Sequence, residues 1–296
     1  MKTASVDLIY LDPPFNSNRN YNLLYEKATG VEVPEQEVAF FDTWEITPEN
    51  EELIRKFPEE LKRYKDIDSD FLGFWNLWIG ALSSTRPKLL AYLVYMTYRL
   101  LEMRRVLKPT GSIYLHCDSN ASHYIKVMMD AIFGHGNFRN EIVWHYTGNS
   151  VPKRMFPAKH DTLLFYAKSE DTFFSPILVP YAASTIRRYN HVDSDGRRYK
   201  VSALKDGKQE IVYMKEGKMA DSVWNIPIVR KKKERLGYPT QKPIELVERI
   251  INASSKEDEV VFDPFCGCGT AIYAAHLNNR QWIGCDIAIL AVRLVR

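Results

Sequence analysis

The sequence lacks any uncharged hydrophobic run long enough to cross a membrane. Its most apolar stretch, residues 89–101, contains Arg99 and follows Lys88, a pattern typical of an amphipathic helix. The N-terminus has none of the features of a signal peptide. These absences argue against a membrane-spanning or secreted protein and predict a cytoplasmic one.

Cysteine is scarce, with only four among 296 residues: Cys117, Cys266, Cys268 and Cys285. Their scatter argues against a disulfide framework and predicts reduced thiols. Cys266 and Cys268 form a Cys-x-Cys pair, but a single pair is a weak signal for zinc. We therefore expect no metal site.

A strong net charge is also missing, since 40 basic and 37 acidic residues leave only +3. The charges are nevertheless unevenly placed. Residues 31–70 carry thirteen acidic and five basic side chains, whereas residues 169–237 carry fourteen basic and nine acidic ones. The basic segment is where a polyanion would bind, although a solvated basic face explains the charge equally well.

What the sequence does contain is a short apolar run, Val6–Leu11, followed by Asp12-Pro13-Pro14-Phe15. Such a run predicts a buried parallel strand, and the prolines predict a rigid loop at its carboxyl end. The loop offers a carboxylate, a carbonyl and an aromatic ring, which together suit a planar amino group. Taken alone, the same dipeptides are equally typical of a surface turn.

A second motif lies near the other end of the chain. A predicted strand leads into Gly267-x-Gly269, a helix follows, and the next strand ends at Asp286. This is half of a Rossmann-like nucleotide site, in which glycines allow close backbone approach and the acid binds ribose hydroxyls. The third glycine of the dinucleotide fingerprint is absent, which argues against NAD and favours a single-nucleoside cofactor.

Together these stretches resemble the amino-methylating DNA methyltransferases of the β arrangement, in which the catalytic half precedes the cofactor half. The resemblance covers nearly the whole chain. It includes the first strand and loop, a helix–strand junction at 104–113, a helix start at 240–246 and the cofactor loop at 262–270. Residues 169–237 fall where this family places its target-recognition region.

The resemblance implies roles for specific residues. The catalytic set comprises Asp12, Pro13, Pro14 and Phe15. S-adenosylmethionine is expected to contact Thr240, Lys242, Pro243, Asp263, Pro264, Phe265, Cys266, Gly267, Gly269, Thr270 and Asp286. DNA phosphates are expected to contact Arg187, Arg188, Arg197, Arg198, Lys231, Lys232 and Lys233.

The predicted fold is an α/β, Rossmann-like methyltransferase sheet with a circularly permuted motif order and an inserted target-recognition subdomain. We expect a catalytic half at 1–168 with an acidic insertion of loops and short helices at about 26–85, target recognition at 169–237, and a cofactor half at 238–296. Helices are predicted at about 88–106, 121–133, 244–254 and 271–278. Six strands are predicted near 6–11, 112–116, 141–145, 162–167, 259–262 and 282–285. Turns at 193–196, 205–207 and 215–217 predict β-hairpins.

The implied reaction is transfer of a methyl group from S-adenosylmethionine to N6 of an adenine flipped out of double-stranded DNA. Aspartate at the first position of the loop suits adenine, whereas the family's cytosine-N4 enzymes usually carry serine there. Cytosine-N4 methylation, methylation of RNA or of a protein glutamine, and a non-catalytic DNA-binding relic remain alternatives. A restriction-system partner and a homodimer also remain open.

The family's sheet normally has seven strands, and the missing one belongs beside the strand that ends at Asp286. We therefore expect this chain to lack that edge strand, as a shortened or unusual form would. An exposed edge can pair with another chain. The expected consequences are weak cofactor binding and some aggregation.

Overall fold

The computed structural model describes residues 1–14, 44–64, 67, 70–148, 152–204, 206–229, 234–236, 238, 240–288 and 291. The chain forms two compact units. One consists of Met1–Phe174 with Ser222–Arg296, and the other of Ser175–Asp221. Among the described residues, no helix is long and apolar enough to cross a membrane.

The first unit is an α/β assembly. Its helices are α1 (Pro48–Leu61), α2 (Asp70–Leu82), α3 (Pro87–Val106), α4 (Ser122–Phe133), α6 (Ile244–Ser254) and α7 (Thr270–Leu277). Its strands are β1 (Val6–Leu11), β2 (Leu107–Cys117), β3 (Phe138–His145), β4 (His160–Ala167), β10 (Val223–Asn225), β11 (Val260–Asp263) and β12 (Gln281–Gly284). The second unit contains β5 (Leu178–Val179), α5 (Ala183–Arg188), β6 (His191–Val192), β7 (Arg198–Ala203), β8 (Gln209–Tyr213) and β9 (Lys218–Met219).

The main sheet has the strand order β10-β3-β4-β2-β1-β11-β12. Only β4 runs antiparallel to its neighbours. The prediction of six strands was therefore wrong, because β10 is a seventh strand that pairs with β3 at one end of the sheet. With three residues, β10 is too short to show a hydrophobic period in the sequence.

The opposite end of the sheet is β12. Within the described residues no strand pairs beyond it. Trp282 and Ile283 on this strand are exposed. The predicted weak cofactor binding and aggregation remain predictions.

Strand β1 lies at the centre of the fold and is buried along its whole length. Its side chains alternate between two hydrophobic clusters, because successive residues of a strand point to opposite faces. Ile9 and Leu11 pack in the cluster that contains α1 to α4. Leu8 and Tyr10 pack in the cluster that contains α6 and α7. Burial on both faces of the sheet explains the nearly continuous apolar run of β1.

Asp7 is a charged residue within this buried strand. Its carboxylate accepts hydrogen bonds from Lys108 Nζ at 2.8 Å and from the Val260 backbone N–H at 3.0 Å. The pairing of β1 with β2 shifts register here, so that Lys108 can reach back over the strand. A Cβ at Gly111 would lie 2.8 Å from the Asp7 carbonyl, so this close approach requires glycine.

The acidic segment is more helical than expected. Helices α1 and α2 have 14 and 13 residues, and α1 continues through Pro58. Pro48 occupies the first turn, where its missing N–H costs nothing, and Thr47 caps the helix. Phe71, Trp75 and Trp78 are buried in the core.

The second unit contains two small antiparallel sheets. Gly196 and Gly207 adopt positive φ at the turns of the two hairpins that connect β6, β7 and β8. The third predicted hairpin, at 215–217, was wrong, because β9 pairs with β5 rather than with β8.

Candidate active site

A cavity of about 1260 Å³ opens at the carboxyl edge of the main sheet. This is where open α/β sheets bind ligands, because several strand ends and their loops meet there. The volume exceeds that of a typical small-molecule pocket, so it can hold two reactants. Its lining includes Asp12, Pro13, Pro14, Tyr95, Arg99, Tyr146, Asp161, Tyr238, Thr240, Lys242, Pro264, Phe265 and Asp286.

Asp12 follows β1 directly and faces the cavity with 18% of its side chain exposed. Lys242 Nζ donates a hydrogen bond to Asp12 Oδ2 at 2.5 Å. The other oxygen, Oδ1, lies 3.9 Å from His116 Nδ1, which is beyond hydrogen-bond distance. One oxygen of Asp12 is thus held by a cation, while the other is oriented towards the imidazole.

His116 is fully buried near the end of β2, between β1 and β4. Its Nε2 bonds Asp161 Oδ2 at 3.1 Å, and its Nδ1 bonds the Tyr10 hydroxyl at 3.2 Å. Since a carboxylate can only accept, Nε2 donates to Asp161, while Nδ1 lies within hydrogen-bond distance of the Tyr10 hydroxyl. The Tyr146 hydroxyl donates to the other oxygen of Asp161 at 3.0 Å.

This network sets the protonation of Asp161. Burial by itself raises the pKa of the Asp161 carboxyl, but the hydrogen bond and charge of His116, together with Lys242 and Tyr146, lower it below the ordinary aspartate value. Asp161 therefore remains an anion beneath the cavity and fixes the orientation of the imidazole ring.

Asp263 ends β11 and is almost completely buried. Burial raises the pKa of its carboxyl well above the usual range, and the nearby carboxylates of Asp12 and Asp286 add to the effect. The Phe265 backbone N–H donates to Asp263 Oδ1 at 3.0 Å and opposes that shift.

Asp286 follows β12 and lines the cavity. Its carboxylate accepts from the backbone N–H groups of Gly267 and Ala288, each at 2.8 Å. Gly267 and Gly269 both adopt positive φ, and the second of them is the N-cap residue of α7. The glycines of the predicted cofactor loop therefore shape a turn that holds Asp286 in place.

Several predicted cofactor residues support the cavity without lining it, namely Pro243, Asp263, Cys266, Gly267, Gly269 and Thr270. Cys266 is buried, and burial raises the pKa of its thiol to about 12, so it is unsuited to nucleophilic chemistry. Of the cofactor set, those that line the cavity are Thr240, Lys242, Pro264, Phe265 and Asp286.

Other cavity residues were missed by sequence reasoning. Tyr95 and Arg99 lie one turn apart on α3, and the guanidinium carbon of Arg99 lies 3.1 Å from the centre of the Tyr95 ring. His116 near the end of β2 and Asp161 near the start of the antiparallel β4 lie at the same sheet edge as Asp12, and of these two only Asp161 lines the cavity. His116 and Asp161 could have been predicted from the sequence, because both are polar residues at the ends of predicted strands.

The predicted DNA contacts lie mainly in the second unit. Arg187 and Arg188 end α5, and Arg198 begins β7. Arg197 already forms ion pairs with Asp193 and Asp195. The other predicted residues, Phe15 and Lys231 to Lys233, lie outside the described part of the chain.

A family described as DNA methylase, the N6/N4 methyltransferases, matches residues 6–296. The chain belongs to this family. Its sheet is thus that of an N6/N4 DNA methylase, and S-adenosylmethionine is the cofactor that family membership assigns.

Curated relatives of this chain include the type II methyltransferase M.BglII of Bacillus subtilis, which is 30% identical over 219 residues, covering 71% of this chain and 57% of the relative. The DNA adenine methyltransferase YhdJ of Escherichia coli is 28% identical over 189 residues, covering 63% of this chain and 58% of the relative. The chain thus spans little more than half the length of these relatives.

Among solved structures, the cytosine-N4-specific PvuII DNA methyltransferase has a similar fold. The two share a TM-score of 0.52 at 14% sequence identity, over 99% of this chain and 80% of the other. At this identity the similarity concerns the fold alone.

Proposed function

We propose that this chain is a site-specific DNA methyltransferase that transfers a methyl group to N6 of an adenine flipped out of the duplex. The observation that carries the proposal is the position of Asp12. Its carboxylate lies in one cavity with Pro264 and Phe265 of the predicted cofactor loop and with Asp286, and Lys242 holds it in place. A carboxylate fixed in this way suits an amino group that must be aligned with a methyl donor.

An exocyclic amino group is a poor nucleophile, because its lone pair is delocalised into the base. Asp12 Oδ1 and the Pro13 carbonyl each accept one N–H of that amino group in our proposal. Two such acceptors favour a more tetrahedral nitrogen with a directed lone pair. Alignment of two reactants can contribute about 7–11 kcal/mol to catalysis. Asp12 need not remove a proton before the attack, since the nitrogen becomes acidic once it is methylated.

The cofactor half of the cavity fits a nucleoside. Asp286 is held by two backbone N–H groups, and its carboxylate is available to ribose hydroxyls as acceptor. Phe265 and Tyr95 present aromatic surface in the same cavity, with ring centres 6.4 Å apart. When bound, S-adenosylmethionine supplies an electrophilic methyl group on sulfur. We propose that Thr240, Phe265 and Asp286 hold it.

Adenine is favoured over cytosine by the aspartate at position 12, since the cytosine-N4 enzymes that the chain resembles usually carry serine there. The relative YhdJ is named a DNA adenine methyltransferase, which supports the same choice. The fold does not discriminate, because the similar PvuII enzyme is cytosine-specific. Cytosine N4 is therefore the second candidate.

The test is to incubate the protein with methyl-labelled S-adenosylmethionine and unmethylated plasmid DNA, and then to identify the modified nucleoside by mass spectrometry. We expect N6-methyladenine at a defined sequence. Label on N4-methylcytosine would make cytosine the target base instead of adenine. Absence of methyl transfer to any DNA would overturn the proposal.

Two variants separate the roles within the cavity. Asp12→Ala should abolish methyl transfer while S-adenosylmethionine still binds, as measured by calorimetry. Gly269→Val should remove cofactor binding, since a β-branched residue cannot adopt the φ of +84° found there without strain. Retained turnover by Asp12→Ala would contradict the catalytic assignment.

A further inference from the structure

The segment 152–160 leads into β4 at the same sheet edge as Asp12. Its base is fixed by the pairing of His145 with His160 and by a hydrogen bond from the Tyr146 N–H to the Lys159 carbonyl at 2.9 Å. Ala158, His160 and Asp161 line the cavity. The loop is therefore anchored beside the entrance through which a flipped base would enter.

Two large apolar side chains project from this loop into solvent. Phe156 is 96% exposed, more than any other large apolar side chain in the described part of the chain, and Met155 is 74% exposed. Pro157 restricts Phe156 to extended backbone, which limits the directions available to its ring. An aromatic ring held in water beside a ligand site is unfavourable for the free protein and indicates a binding role.

The residues around this tip are basic. Lys153, Arg154 and Lys159 lie in the segment 152–160, which contains no acidic residue. Lys153 and Arg154 are exposed on the amino-terminal side of the apolar tip. Cations that flank an aromatic ring match the chemistry of DNA, in which phosphates surround stacked bases.

We propose that Met155 and Phe156 form a wedge that enters the base stack of duplex DNA and fills the space left by the flipped target. Lys153 and Arg154 bind the adjacent phosphates. Apolar wedges of this kind unstack base steps in other DNA-binding proteins, and they offset the cost of extruding a base. The assignment rests on the proposed function of the neighbouring cavity. It gives Phe156 a role distinct from that of Phe15, which would stack on the flipped base itself.

The test compares substrates that differ only in whether the target must be unpaired. Phe156→Ala, Phe156→Trp and the wild type are assayed on an oligonucleotide duplex containing the mapped target, on the same duplex with a mismatch at the target, and on the single strand. Phe156→Ala should lose roughly tenfold or more activity on the paired duplex and little on the other two. Phe156→Trp should restore the rate. Leu77→Ala removes a side chain that is 65% exposed on α2 and serves as the matched control.

A second measurement does not depend on methyl transfer. Phe156→p-benzoyl-phenylalanine should photo-crosslink to sheared double-stranded DNA, whereas the same group at Leu77 should not. If the crosslink forms but the wild type transfers no methyl group, the proposed function is rejected while the wedge proposal stands. Three results would overturn the wedge proposal. The first is equal activity of Phe156→Ala and the wild type on the paired duplex, and the second is an equal loss of activity on all three substrates. The third is equal crosslinking at positions 156 and 77.

Discussion

Lys242 Nζ lies 2.5 Å from Asp12 Oδ2, although 230 residues separate the two in the chain. Their side chains are only 10% and 18% exposed. The contact joins the segment expected to bind the cofactor to the loop proposed to be catalytic. It makes the position of Asp12 depend on residues from both ends of the chain.

Replacing this lysine should misplace Asp12. Lys242→Met is expected to lower the rate of methyl transfer by roughly 10- to 100-fold, because small misplacements of a catalytic group cost this much. A double-mutant cycle with Asp12→Asn, measured by urea unfolding, should give a coupling free energy of about 0.5–3 kcal/mol. Lys88→Met, at an exposed position of α3, is the control. Zero coupling would show that the ion pair has no energetic role.

The lowered pKa of Asp161 makes a prediction about acid stability. A carboxyl whose pKa is lower in the folded state stabilises the fold above its unfolded pKa of about 3.9, and that stabilisation is lost as the pH falls through the folded value. In the Asp161→Asn variant, the free energy of unfolding should therefore decrease less steeply as the pH is lowered. His116→Asn should do the same, since it removes the main partner. If the free energy of unfolding of both variants depended on acidic pH as it does in the wild type, this explanation would be contradicted.

Asp263 should behave in the opposite sense, because burial raises its pKa. Its contribution to stability is fully present below about pH 3.9 and is lost as the pH rises towards the folded value. Asp263→Asn keeps an acceptor for the Phe265 N–H and removes the ionisable carboxyl. We expect this variant to have a higher melting temperature than the wild type at neutral pH, with a smaller difference in acid. An equal difference at both pH values would refute the assignment.

The contacts of Asp7 lead to a prediction about the stability of the fold away from the cavity. Asp7→Ala removes the partner of Lys108 and leaves the Val260 N–H without its acceptor, which should lower the free energy of unfolding by about 1–3 kcal/mol. Asp7→Asn keeps an acceptor and should cost less. Urea denaturation of both variants measures the difference, and equal losses would assign the effect to Lys108 alone.

Target recognition by the second unit stays a prediction from its charge. Arg187→Glu and Arg188→Glu should weaken DNA binding and reduce the dependence of the binding constant on salt, because fewer counterions are released. Arg55→Glu changes an exposed arginine on α1 and is the control. An unchanged salt slope would show that these arginines are merely solvated, and cofactor affinity should stay the same in every variant.

Elements with strong local signals were predictable. The helix at 244–254 agrees with α6 to the residue, and the strand before Asp12 was found because burial on both faces of a sheet leaves a continuous apolar run. Asp286 was found because a strand and a glycine turn precede it at a recognisable spacing. Strand β10 was missed because three residues cannot display a period, and its pairing with β3 depends on a neighbour 80 positions away in the chain.

The sequence by itself determined the fold class, the family and the two short motifs, since each depends on residues that are close together in the chain. Only the tertiary structure decided that Lys242 and His116 flank Asp12, that Asp7 pairs with Lys108, and that Phe156 stands exposed beside the cavity. These features arise where strand ends from distant segments meet, and their energies depend on burial and on distances between charges. Neither quantity has a local signature in the chain, so they become visible only when the sheet is assembled.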